Sequence, residues 1–185
     1  MSNIKSARLA LNSFITNGND IYGSTNANKT KYTFNNINLR TLLGDLWDKY
    51  DTFNLCLKSM ISGVQPEITF GTTLNDLAVF IMIDGLPFIN CTYDLYSGFT
   101  GTFAILTTFN FKRNEAVQVN YNDNNLTFSK NQEIVNLTFT YESVEDGQLP
   151  NTPTGINFPE ITYIFDIVGV GEAKNVNQIM NQRII

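Results

Sequence analysis

The chain has 185 residues, 43% of them hydrophobic and 12% aromatic, but only 16% charged. That length suits one domain burying roughly 70% of its unfolded surface, and the charge falls well below the roughly 25% of an average soluble domain. The net charge of −5, with no basic run longer than Lys112-Arg113, argues against a surface that replaces the counterions of a nucleic-acid backbone, so no nucleic acid is expected as a partner.

Asn, Thr and Ser must supply much of the polar surface. Such a surface suits extensive contact with neighbouring chains, and it also arises from plain compositional bias; both readings stay open. No stretch approaches the 18 or so apolar residues of a membrane helix, and the opening residues lack a signal-peptide core, so no membrane span and a cytosolic origin are expected. The sequons at Asn28, Asn90, Asn125 and Asn136 read as by-products of an Asn- and Thr-rich composition.

In chain order, Lys5 to Phe14 reads as a first strand, with Ala7, Leu9 and Leu11 on one face. A turn-rich loop then leads to a second strand over Lys31 to Ile37. Leu39, Leu42, Leu43, Leu46 and Trp47 fall at helical spacings behind the capping residue Asn38, which predicts one short helix over Leu39 to Tyr50. Thr52 to Ser62 alternates as a strand. Asp76 to Asp84 holds a near-continuous apolar run and should be buried on both faces. Gly85 and Pro87 supply a turn before Phe88 to Tyr93. Further strands are expected at Thr102 to Phe111, Ala116 to Tyr121 and Leu126 to Phe128, with Asn122 to Asn125 as a loop. Ile134 to Glu142 alternates most clearly: Val135, Leu137, Phe139 and Tyr141 face a core, while Asn136, Thr138, Thr140 and Glu142 face water. A turn-rich segment then leads to the last strand, Ile161 to Val168.

Eight or nine strands with one short helix predict an all-β, antiparallel sandwich rather than βαβ units, and a single jelly roll fits the strand number best. An immunoglobulin-like sandwich fits less well, because no Trp lies between Cys56 and Cys91. The domain is assigned to residues 1–170, with 171–185 as a C-terminal tail. In that tail Val176, Ile179, Met180, Ile184 and Ile185 are apolar with no strand left to pair with. They fold back on the body or dock on another chain, and are the candidate protein-interface residues.

The chain contains no His, so Ser-His-Asp and Cys-His chemistry is closed to it. Two cysteines without His fall short of a structural zinc site; no metal, cofactor or catalytic residue is expected, and a Cys56–Cys91 disulfide stays open. Asp76 and Asp84 bracket the buried strand, an arrangement open to a glycosidase pair facing across a cleft, but strand-end Asp residues commonly bond their own backbone, and that structural reading is preferred. Glu145-Asp146 reads as a solvated turn. Gly169-Val-Gly171 lacks the strand–helix setting of a nucleotide-binding motif and reads as a flexible exit into the tail.

Five segments follow one another in a characteristic order: Lys5-Ser-Ala-Arg-Leu-Ala-Leu-Asn, Lys49-Tyr-Asp-Thr-Phe-Asn-Leu-Cys-Leu-Lys-Ser-Met, Phe80-Ile-Met-Ile-Asp-Gly-Leu-Pro-Phe88, Ile134-Val-Asn-Leu-Thr-Phe-Thr and Tyr163-Ile-Phe-Asp-Ile-Val-Gly169. In strand pattern and order, over nearly the whole chain, this series resembles the single jelly-roll minor capsid proteins of large icosahedral DNA viruses. The resemblance implies a scaffold without catalysis that binds neighbouring capsid subunits and stabilises the shell, at the fivefold vertex (penton) or beneath the shell. It implies the major capsid protein, other minor capsid proteins or further copies of this chain as partners, and a virion location after synthesis in host cytoplasm. The competing class is a carbohydrate-binding, lectin-like module using Tyr22, Tyr93, Tyr96 and Asn-rich loops; an enzyme ranks third.

Overall fold

The computed structural model describes residues 6–12, 31–63, 77–89, 104–112, 115–143 and 161–174. Within them lie eight strands and two short helices: β1 Ser6–Asn12, β2 Lys31–Asn38, α1 Leu39–Leu43, α2 Asp45–Lys49, β3 Thr52–Ser62, β4 Leu77–Asp84, β5 Ala104–Phe111, β6 Val117–Ser129, β7 Ile134–Ser143 and β8 Ile161–Val170. They form two four-stranded sheets, ordered β1-β8-β3-β6 and β2-β7-β4-β5, and every pairing is antiparallel.

The first strand pairs with the last, the second with the seventh, the third with the sixth and the fourth with the fifth. These nested pairs alternate between the sheets, which is the winding of a jelly roll. Period-2 alternation then sets which side chains meet. From the first sheet come Leu9 and Leu11, Phe53, Leu55 and Leu57, and Ile161, Tyr163, Phe165 and Ile167; from the second come Phe34, Ile81 and Ile83, and Val135, Leu137, Phe139 and Tyr141. Phe139 stacks on Tyr163 across the sandwich with centroids 4.3 Å apart, and meets Phe34 edge-on at 5.6 Å. The hydroxyls of Tyr141 and Tyr163, both fully buried, hydrogen-bond each other in the same layer.

The helix expected over Leu39 to Tyr50 is two helices. Asn38 Oδ1 accepts the Thr41 N–H at 2.8 Å, as a capping residue should, but Gly44 adopts φ +53° and breaks the run after Leu43. Leu39, Leu43, Leu46 and Trp47 are buried on both sides of the break, so the apolar spacing is satisfied by two short turns instead of one rod.

Three further expectations change. Ala116 to Tyr121 and Leu126 to Phe128 are one strand, β6, paired with β3 on both sides of the Asn-rich run. The register slips there: Leu57 faces Asn124 and Ser59 faces Asn120, so a bulge absorbs the polar residues without ending the strand. The face of β7 expected to be wet is partly buried, since Thr140 is 6% exposed beside its register partner Met82 at 5%. The rest of that face is closer to the expectation, with Asn136 exposed and Thr138 half-buried, so the burial is local to Thr140 and its cross-strand neighbour Met82. Gly169 is no flexible exit. It lies within β8, where a Cβ would sit 2.3 Å from Tyr50 Cδ2, so glycine is what lets Tyr50 pack there against Phe53.

Around β4 the reading holds. Ile81, Met82 and Ile83 bury both faces of β4, and Asp84 Oδ1 accepts the Gly85 N–H at 2.6 Å, a strand-end carboxylate bonding its own backbone. The expected strand from Phe88 survives in its described part as a bridge from Phe88 to Phe128. Asp76, Cys91, Glu145 and Asp146 lie outside the described residues.

Phe139 touches Phe34, Tyr163 and Phe165, so Phe139→Ala should cost about 3–5 kcal/mol. Urea midpoints measure this. A loss under about 1 kcal/mol would mean that the ring is not at the centre of the sandwich.

Candidate functional site: the helix-bearing end and the sheet faces

The candidate interface residues Val176, Ile179, Met180, Ile184 and Ile185 lie outside the described residues, as do Tyr22, Tyr93 and Tyr96. The structure does place the root of the tail. Register puts Thr52 of β3 between Ser129 of β6 and Val170 of β8, so the chain just before β3, just after β6 and just after β8 meets at one end of the sandwich, beside α1 and α2.

Charged side chains gather there. Asp51 lies between Lys130, whose Nζ is 3.6 Å from Asp51 Oδ1, and Lys174, whose Nζ pairs with Oδ2. The Lys130 ammonium also donates to the Trp47 carbonyl and lies 5.1 Å from the centre of the Trp47 ring. Backbone bonds reinforce the meeting point: Lys130 N–H donates to Asp51 O at 2.7 Å, and Lys174 N–H donates to Lys49 O at 2.9 Å. The hydrogen bond from Lys174, opposed by partial desolvation and aided by the charges of both lysines, holds the Asp51 carboxyl below its ordinary range. On the other side of the same end, Arg40 pairs with Glu133 at 2.7 Å, and Leu39 N–H donates to Glu133 O at 2.7 Å.

This cluster was not legible in the sequence. Asp51, Lys130 and Lys174 are far apart along the chain and follow no spacing rule; only the pairing of β3 with both β6 and β8 brings them together. Exposed apolar residues lie at this end too: Ile89, Ile134 and Val170 are 58%, 55% and 38% exposed. Ile89 is held by its N–H to Thr127 O at 2.8 Å, which continues the Phe88–Phe128 bridge along the edge of β6.

The outer faces carry the uncharged polar groups that the composition implied. Asn12 Nδ2 donates to Thr162 Oγ1 at 2.8 Å, Thr127 Oγ1 donates to Asn54 Oδ1 at 2.8 Å, and Thr33 and Thr138 share a hydrogen bond of 3.0 Å. Arg8 and Asp166 cancel each other there at 2.9 Å. Cys56 is free and buried on the outer face of β3, and burial pushes its thiol above the ordinary value, opposed by Lys58 and aided by Asp166. A thiol so shifted is a small packing residue and a poor nucleophile. Among the described residues no group of three or more His, Cys, Asp or Glu is placed to hold a metal ion, and no helix is long and apolar enough to cross a membrane.

The chain matches no family model and no curated protein. Among solved structures it is similar to a chain in the cryo-EM structure of Mud crab tombus-like virus, with 8% identity, a TM-score of 0.28, and coverage of 96% of this chain and 86% of that chain. Nothing about function follows from a likeness at that level; the fold assignment rests on the strand order.

Lys130 combines a charged hydrogen bond with its position over Trp47, so Lys130→Met should lower stability by about 1–2 kcal/mol. Lys112→Met, which removes an exposed pair 3.8 Å long with Glu115, should change it by less than about 0.5 kcal/mol. Paired urea melts give both numbers, and equal effects would show that Lys130 is no more than a surface charge.

Proposed function

We propose that this chain is a structural, non-catalytic subunit of an icosahedral virus shell: a minor capsid protein that binds neighbouring capsid subunits, at the fivefold vertex or beneath the major shell. The observation that carries the reading is the nested eight-strand jelly roll, built by a chain whose segments resemble minor capsid jelly rolls in order and pattern. A jelly roll by itself serves shells and lectins alike, so the strand order does not choose between them. Two features favour protein neighbours over a sugar. The outer faces commit much of their polar capacity to cross-strand pairs and carry few charges, as the buried centre of a protein interface does. The sequence after Lys174 contains further apolar residues, among them Ile184 and Ile185, and the described surface exposes Ile89, Ile134 and Val170.

In this reading the partners are the major capsid protein, other minor capsid proteins or further copies of the chain, and the tail is an assembly arm. Burying Ile184 and Ile185 on a neighbour contributes about 3–6 kcal/mol before the cost of ordering the segment, enough to matter in a repeated lattice and little in a lone pair.

Ending the chain after Lys174 keeps the contacts of the tail root. It should leave the melting temperature of the isolated protein unchanged while lowering incorporation into particles, measured by quantitative mass spectrometry of purified virions. A glycan array run on the same protein should show no saturable binding. Absence of the chain from particles, together with tight binding to one sugar, would replace this reading with the lectin.

A further inference from the structure

The described chain does not simply run off the end of β8. After Val170 it turns at Gly171, and by Lys174 it is back against the end of α2 and the residues after it, with the Lys174 N–H on Lys49 O at 2.9 Å and the Lys174 ammonium on Asp51. We infer that Asp51 is an electrostatic clamp that fastens residues 171–174, the chain leaving β8, to the helix-bearing end, and that acid or high salt opens it.

The cluster is asymmetric. Lys130 reaches Asp51 from the turn between β6 and β7, and Lys174 reaches it from beyond β8. Of the charged residues on α2, Lys49 forms no ion pair with Asp51 among the described residues, and Asp48 carries a like charge. If Asp51 loses its charge, Lys130 keeps the Trp47 carbonyl and the Trp47 ring. Lys174 keeps a single backbone hydrogen bond. Protonation therefore loosens the tail root and leaves the body intact.

The sign follows from the direction of the shift. Because pairing holds the Asp51 carboxyl below its ordinary range, the clamp is closed at neutral pH and opens as pH falls through that lowered value. The side chains of Asp51 and Lys174 are 56% and 47% exposed, so mobile ions reach them and salt weakens the pair. The holding force is correspondingly light. The clamp stands on these contacts alone, whatever partner the tail meets.

Amide hydrogen exchange on the full chain reads the clamp directly at the residue-174 N–H. Asp51→Asn and Lys174→Gln should each speed exchange at that amide about two- to fivefold at neutral pH, and the double variant should match the singles because both break one interaction. In the unaltered chain, exchange corrected for intrinsic pH dependence should rise by the same factor on acidification through the Asp51 titration, and on raising salt to about 1 M. Neither variant should respond to acid in this way. The amides of Tyr163 and Phe165 in β8 should stay protected throughout. Unchanged exchange at residue 174 in both variants would overturn the inference. So would a parallel loss of protection at Tyr163 and Phe165, which would make Asp51 a determinant of global stability rather than a local clamp.

Discussion

The pairing of the first strand with the last is the constraint on which the rest of the structure depends. With β1 against β8 and β3 between β8 and β6, one sheet is assembled entirely from strands distant in the chain, and β2 against β7 does the same for half of the other. Among the described strands only β4 and β5 are neighbours both in sequence and in a sheet. Such pairings must overcome loop-closure entropy before any contact rewards them, so the sandwich is held by its interior rather than by hairpins. Among the described residues that interior holds two aromatic groups, one of Trp47, Tyr50, Phe53 and Phe128 toward the helix-bearing end and one around Phe139. Phe139 on Tyr163, and the hydroxyl bond between Tyr141 and Tyr163, join the sheets through strands that are both internal in their sheets.

The same winding decides where chemistry can gather. It sends the chain after β6 and after β8, and the chain before β3, to one end, where α1 and α2 also lie. Asp51, Lys130, Lys174 and Trp47 meet there as a consequence of register. The sheet faces are different in kind: Asn and Thr pair across strands, and the ion pair of Arg8 with Asp166 neutralises itself. The low charge of the composition is thus unevenly spent. It leaves faces of paired uncharged groups and concentrates ionic contacts at the root of the tail.

What could be read beforehand was whatever a local rule writes. Val135 to Tyr141 alternate because a strand has period 2, the run Ile81 to Ile83 is apolar because β4 is buried on both sides, and Asn38 caps because its carboxamide reaches the Thr41 N–H. The misreadings share one cause, in that a neighbour distant in sequence decides the outcome. The Asn-rich run of β6 looks like a loop until β3 pairs with both of its flanks. Thr140 looks wet until β7 is set beside β4, and Gly169 looks like a hinge until Tyr50 occupies the space its side chain would need. Gly44 is a milder case, since a glycine within a helical pattern is tolerated as often as it breaks the run. The Asp51 cluster had no local signature at all.

The most direct test of the account is the nuclear Overhauser contact between β1 and β8 in the isotopically labelled protein. First-to-last pairing predicts strong cross-strand contacts joining Leu9 to Phe165 and Leu11 to Tyr163, and none joining β1 to β2 as a hairpin. Contacts between β1 and β2 in their place would mean that the chain opens with a hairpin, and the nested winding, with the function proposed from it, would fail; the meeting of Asp51 with its two lysines rests on β3 against β6 and β8 and would stand.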